Sequence, residues 1–209
     1  MRRLPVYLLI DISGSMRGES IVATNNALQT MIACLQQEPN ALESVYMSIL
    51  TFNREINEFL PLTELEVLQF AGLPEPESGP TLLGKALDFL VQKINSNAVK
   101  SSKKKKGDWD PLLFIITDGK VSDRVKFNQV LEKVKNFKFT SIVICLTGHD
   151  GHEELLKKLT GNIYSLETMD GAAFIQFFDW VSQSILKEVK EKTYSSNSNL
   201  PLPPAEIKL

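Results

Sequence analysis

Val6-Tyr7-Leu8-Leu9-Ile10-Asp11-Ile12-Ser13-Gly14-Ser15-Met16 decides the fold, because an unbroken apolar run stops at one carboxylate, two hydroxyls and a glycine. The run is apolar on both faces, as a central parallel strand covered on both sides must be. Open α/β sheets bind ligands just beyond the carboxyl ends of their strands, which is where Asp11, Ser13 and Ser15 fall. At i, i+2 and i+4 in a tight loop, three oxygen side chains can turn toward one point, with Gly14 expected to supply the sharp backbone path. A carboxylate with neutral hydroxyls is a hard-oxygen set suited to Mg²⁺ or Mn²⁺ and poor for Zn²⁺. Thr81 and Asp118, the latter closing the run Leu112-Leu113-Phe114-Ile115-Ile116-Thr117, lie at further element ends.

Outward from this strand, Ser20 is the expected N-cap of a helix running to about Gln37, with Pro39 blocking continuation. Asn25 and Asn26 lie inside it as surface polar groups or as support for the metal loop. Residues 44–52 and 56–62 read as two strands paired across Asn53-Arg54-Glu55, an antiparallel edge on an otherwise parallel sheet. Residues 65–70 suggest a short helix, and 73–80 a loop dense in proline and acid. Thr81 locally reads as a helix cap. Leu83, Leu87, Leu90 and Ile94 mark one helical face, and Phe127, Val130, Leu131 and Val134 another. Residues 140–146 and 163–166 read as strands. A last helix carries Phe174, Phe177, Phe178, Val181, Ile185 and Val189 on one stripe, a core pattern. This alternation predicts an α/β, Rossmann-like, mostly parallel sheet with one antiparallel edge strand and helices on both faces. The domain is expected over residues 1–192, with a flexible Pro/Ser-rich tail or linker over 193–209.

With 209 residues, 43% hydrophobic content and a net charge of -2, the chain has the length for one sizeable core and no global pull toward nucleic acid or anionic lipid. Lys100 and Lys103 to Lys106 lack interleaved aromatics, so a solvated loop is expected. Cys34 and Cys145 are expected to be buried free thiols. His149 and His152 have no evident third ligand and read as loop or helix-start residues. Arg2 and Arg3 precede a short apolar run that ends at Asp11 without a small-residue cleavage site, unlike a secretory signal. No stretch reaches the roughly 18 apolar residues that span a bilayer. The cytoplasm is the expected compartment.

Asp11-x-Ser13-x-Ser15 with the distant Thr81 and Asp118 resembles the metal-ion-dependent adhesion site of von Willebrand factor A (vWA) domains. Further stretches are similar to the TerY-like bacterial proteins linked to tellurite resistance. They are Glu38-Pro39-Asn40-Ala41-Leu42-Glu43, Pro61-Leu62-Thr63, Gly79 to Leu87, Lys106-Gly107-Asp108 and Phe177-Phe178-Asp179-Trp180-Val181-Ser182. The resemblance implies the vWA fold and a metal held by Asp11, Ser13, Ser15, Thr81 and Asp118. In it Ser13 and Ser15 bind directly, Thr81 directly or through water, and Asp11 and Asp118 mainly through water; Thr81 becomes a ligand rather than a cap. It further implies a protein partner that supplies an Asp or Glu to the metal, with kinase- or phosphatase-like partners in a stress-response system.

The alternative is a phosphoryl-transfer enzyme using Asp11 as nucleophile. Ser13 then stands where phosphatases of the haloacid-dehalogenase type carry their second aspartate. A serine hydrolase lacks the Gly-x-Ser-x-Gly frame, and no Gly-x-Gly-x-x-Gly follows the first strand. A non-enzymatic binding module is therefore the expectation.

Overall fold

Residues 2–103, 106–147, 152–166, 171–194, 201 and 203 are described by the computed structural model. The opening run forms β1 (Leu4–Asp11), every residue of it buried. It is the third strand of a six-stranded sheet, ordered β3-β2-β1-β4-β5-β6. The others are β2 (Val45–Phe52), β3 (Ile56–Glu64), β4 (Leu112–Thr117), β5 (Ser141–Thr147) and β6 (Ile163–Leu166). Among the described residues only β2 and β3 pair antiparallel; β1 pairs parallel with both β2 and β4. The mixed sheet and its antiparallel edge are as the sequence predicts.

Successive side chains of a strand point to opposite faces, and β1 therefore feeds two cores. Leu4, Val6, Leu8 and Ile10 pack beneath α1 (Glu19–Leu35), α2 (Pro39–Ser44) and α6 (Gly171–Tyr194). Tyr7 and Leu9 pack beneath α3 (Leu83–Asn97), α4 (Arg124–Asn136) and Leu156 of the one-turn α5 (Glu153–Leu156). Each fully buried Leu or Ile contributes about 1.5–3 kcal/mol, so these two apolar layers outweigh the exposed ion pairs, worth about 1 kcal/mol or less each.

Several local expectations shift. The N-cap of α1 is Gly18, at φ 81, not Ser20. Pro39 does end the approach from α1, yet it also opens α2 near its first turn, where a missing N–H costs nothing. The helix expected over 65–70 is only a 3₁₀ turn, Leu65–Val67. Cys34 is free but exposed, while Cys145 is free and buried; Leu28, Ile32 and Leu35 set the inward face of α1, and Cys34 lies about 100° round from Leu35. Asn25 Oδ1 accepts the Leu73 N–H at 2.6 Å, tethering the acidic loop rather than the β1 loop.

The Lys-Gly-Asp stretch is structural. Asp108 takes a two-pronged contact from Arg3 at 2.8 and 2.6 Å and the Val99 N–H at 2.8 Å. Lys100, Lys103 and Lys106 are exposed, whereas Lys104, Lys105, His149 and residues 195–200 of the tail lie outside the described residues. Among the described residues, no helix is long and apolar enough to cross a membrane.

Candidate metal centre

In the order 3-2-1-4-5-6 the connections reverse direction between β1 and β4, and the crevice at their carboxyl ends is the place where such sheets bind ligands. Asp11 is the last residue of β1, and Asp118 follows the last residue of β4. Four loops are stitched together there. Glu77 N–H donates to Ile12 O at 3.1 Å, Leu82 N–H to Asn53 O at 3.0 Å, and Ser122 N–H to Thr81 O at 3.0 Å. Thr81 N–H in turn donates to Ser122 Oγ at 3.1 Å.

The loops leave an open depression of about 310 Å³ lined by Ser13, Ser15, Thr81, Asp118, Lys120 and Ser122, with Gly14, Ser78 and Gly79 completing it. Four of the five predicted ligands thus share one mouth. Asp11 lies beneath it with no solvent exposure. Ser13 Oγ and Ser15 Oγ are 3.1 Å apart, and the Ser15 hydroxyl donates to Asp118 Oδ2 at 2.7 Å. Asp118 Oδ1 accepts the Lys120 N–H at 3.0 Å.

Gly14 serves a different purpose from the expected turn. Its φ is not positive; instead a Cβ there would sit 3.2 Å from Ser78 Cα. The glycine lets two loops approach. The sharp turn is made by Gly119, at φ 77.

Asp11 is held by two donors, the Ser13 N–H at 2.8 Å and the Thr117 hydroxyl at 2.7 Å. Burial pushes its carboxyl up to about 6, against these hydrogen bonds and with a further upward push from Asp118. Thr117 is a functional neighbour that sequence reasoning missed. A threonine between Ile116 and Asp118 reads as an ordinary strand residue, although a hydroxyl ending an apolar run was the available signal.

Thr81 does not cap α3. The Asp123 carboxylate does, taking the Gly84 N–H at 3.0 Å and the Lys85 N–H at 2.8 Å. That frees the Thr81 side chain, 4% exposed as a residue, for the depression. His152 stands apart from this set: its Nδ1 accepts the Val121 N–H at 3.1 Å, and Arg124 faces its Nε2.

The donor set fits a hard divalent cation. Among the described residues no three His, Cys, Asp or Glu side chains gather, which leaves out the sites built for softer metals. Bonds of about 2.1 Å in an octahedron put adjacent oxygens about 3.0 Å apart, and the 3.1 Å between the two serine oxygens matches that edge.

The family model of the von Willebrand factor type A domain matches residues 6–179, and the chain belongs to this family of adhesion and protein-interaction modules, which are generally not enzymes. Among solved structures, a von Willebrand factor type A protein from Catenulispora acidiphila has a TM-score of 0.65 at 13% identity, covering 89% of this chain and 43% of that one. The pilus adhesin SpaC from Lactobacillus rhamnosus GG, in an open conformation, has a TM-score of 0.69 at 11% identity, covering 90% and 30%. Manganese-loaded TRAP protein from Plasmodium vivax has a TM-score of 0.53 at 18% identity, covering 85% and 73%. The chain thus spans less than half of the first two. A search of curated protein sequences finds no match.

Proposed function

We propose that this domain is a metal-dependent protein-binding module, in which Ser13, Ser15 and Thr81, with Asp118 beside them and Asp11 beneath, hold Mg²⁺ or Mn²⁺ for a partner's Asp or Glu. The observation that carries the reading is the pair of serine hydroxyls 3.1 Å apart, near enough for both to reach one ion, in an open mouth above a buried carboxylate. A divalent ion held there supplies an open coordination position that a carboxylate oxygen fills in exchange for water. The hydroxyls that face the mouth are neutral and leave the positive charge poorly compensated, which favours an anionic newcomer. Asp11, buried and pinned by Ser13 and Thr117, orients the Ser13 backbone and supplies charge from below. The manganese-loaded state of the Plasmodium protein is in keeping with this choice of ion.

Resemblance to TerY-like proteins points to kinase- or phosphatase-like partners, in a cytoplasmic tellurite-resistance or stress response. The phosphoryl-transfer alternative is disfavoured by the same geometry. Asp11 has no exposed surface and both of its oxygens are engaged, so no phosphorus has a line of approach to it.

Calorimetric titration of Mg²⁺ tests the reading. Wild type is expected to bind saturably, and the Ser13→Ala, Ser15→Ala double variant to lose at least about 100-fold in affinity, the upper end of what even outer partners of a metal site cost. Equal affinity in the two proteins would place any bound metal elsewhere and end the proposal.

A further inference from the structure

We propose that Lys120 is a built-in counter-cation of this site: it balances Asp118 when no metal is bound, opposes the metal by its charge, and then turns to the partner's carboxylate. The inference rests on the metal reading above and adds a residue that selects for a negatively charged partner group.

Lys120 shares the rim of the depression with Ser13, Ser15 and Thr81, and among the described residues is the one cationic side chain that lines it. Its backbone is fixed by the hydrogen bond to Asp118 Oδ1 and by the turn at Gly119. Its side chain is 51% exposed, with Nζ 3.7 Å from Oδ2 of Asp118, itself 6% exposed. That Oδ2 is also the oxygen that accepts the Ser15 hydroxyl. An ammonium and a divalent ion therefore draw on the same carboxylate oxygen. Arg54, behind Gly79, is already engaged with the Ser78 carbonyl.

Two cations on one carboxylate repel each other, and the long flexible lysine stem lets the ammonium yield by swinging outward while staying hydrated. It then stands beside the position where the partner's group arrives. A carboxylate has two oxygens; one goes to the metal, and the other accepts a charge-assisted hydrogen bond from Nζ. A neutral carbonyl or hydroxyl ligand gains much less from the lysine, which is the source of the selectivity.

The test compares wild type, Lys120→Gln and Lys120→Arg with Mg²⁺ alone as the first probe. Lys120→Gln is expected to bind Mg²⁺ about fivefold more tightly at low ionic strength, the gain shrinking as salt is added, while Lys120→Arg stays within about twofold of wild type. In EDTA, Lys120→Gln is expected to melt below wild type, since Asp118 has lost its counter-charge. These opposite signs separate the proposed role from a merely structural one, which would weaken both. Acetate titrated into the Mg²⁺-saturated proteins, followed by the amide shifts of Gly119 and Lys120, is expected to bind the Gln variant about threefold more weakly. Unchanged Mg²⁺ affinity in Lys120→Gln overturns the proposal and leaves the metal reading standing. No Mg²⁺ uptake by any of the proteins overturns both, and uptake by Lys120→Gln alone upholds the proposal with the lysine as the stronger occupant.

Discussion

Asp11 is a carboxylate without solvent exposure, held by one backbone N–H and one hydroxyl, whose burial pushes its pKa from 3.8 to about 6. A raised carboxyl pKa means that the folded, metal-free protein holds this proton more tightly than the unfolded chain. Its contribution to stability is full below about pH 3.8, is lost as pH rises toward about 6, and amounts to a penalty of about 2–3 kcal/mol at pH 7. Asp11→Asn removes the buried charge, and the Thr117 hydroxyl can turn to accept from the new amide. In EDTA at pH 7 the variant is expected to be about 1–3 kcal/mol more stable than wild type by urea denaturation, with the gain vanishing near pH 4. A wild type that is the more stable protein at pH 7 would show that Asp11 is well solvated by the fold itself. On the proposed metal reading, the penalty is offset when a cation binds beside the carboxylate. Asp11, Ser13, Ser15 and Asp118 were legible in the sequence because each interrupts or ends an apolar run. Thr117 was passed over although its hydroxyl ends the apolar run, because a β-branched residue at that place also fits an ordinary strand end, and Gly14 was misjudged because its neighbour Ser78 is distant in sequence.

At the scale of elements, the joint between α3 and α4 governs where Thr81 stands. A Cβ on Gly84 would lie 2.3 Å from the Phe127 backbone nitrogen and 2.8 Å from the Lys126 carbonyl carbon. Backbone atoms cannot swing aside as a side chain can, so the two helices touch there. Asp88 of α3 adds ion pairs to Lys126 and Lys133 of α4. Gly84→Ala gains about 1 kcal/mol in helix propensity but forces the helices apart, and the overpacking is expected to win by a net of about 2 kcal/mol. Separation would also loosen the Asp123 cap on the first amides of α3, and a lower Mg²⁺ affinity is expected alongside the lower urea midpoint. An unchanged midpoint would mean that α4 slides freely on α3. The helical faces of α3 and α4 were readable from their apolar spacing. Their contact through a glycine was not, and neither was a cap reaching from Asp123 across to Gly84, because periodicity reports which face is buried and not what it meets.

For the whole molecule, the site is a seam between distant parts of one chain. Ser13 and Ser15 follow β1, Thr81 precedes α3 and Asp118 follows β4, and these segments meet only in the folded sheet. An unfolded chain cannot present them together, so a metal they share binds the native state alone and stabilises it by mass action. At a free Mg²⁺ concentration of about 100 times the dissociation constant, the gain is about 2.7 kcal/mol, which for a chain of this size raises the melting temperature by about 5–10 °C. EDTA is expected to reverse the shift fully, and the Ser13→Ala, Ser15→Ala variant to melt at one temperature with or without Mg²⁺. A wild type that melts identically in Mg²⁺ and EDTA, at concentrations where calorimetry records binding, would place the bound ion on a surface that survives unfolding. A shift confined to wild type would tie the ion to the loops themselves, because only a ligand that needs β1, α3 and β4 in their native places depends on both serines and on the fold at once.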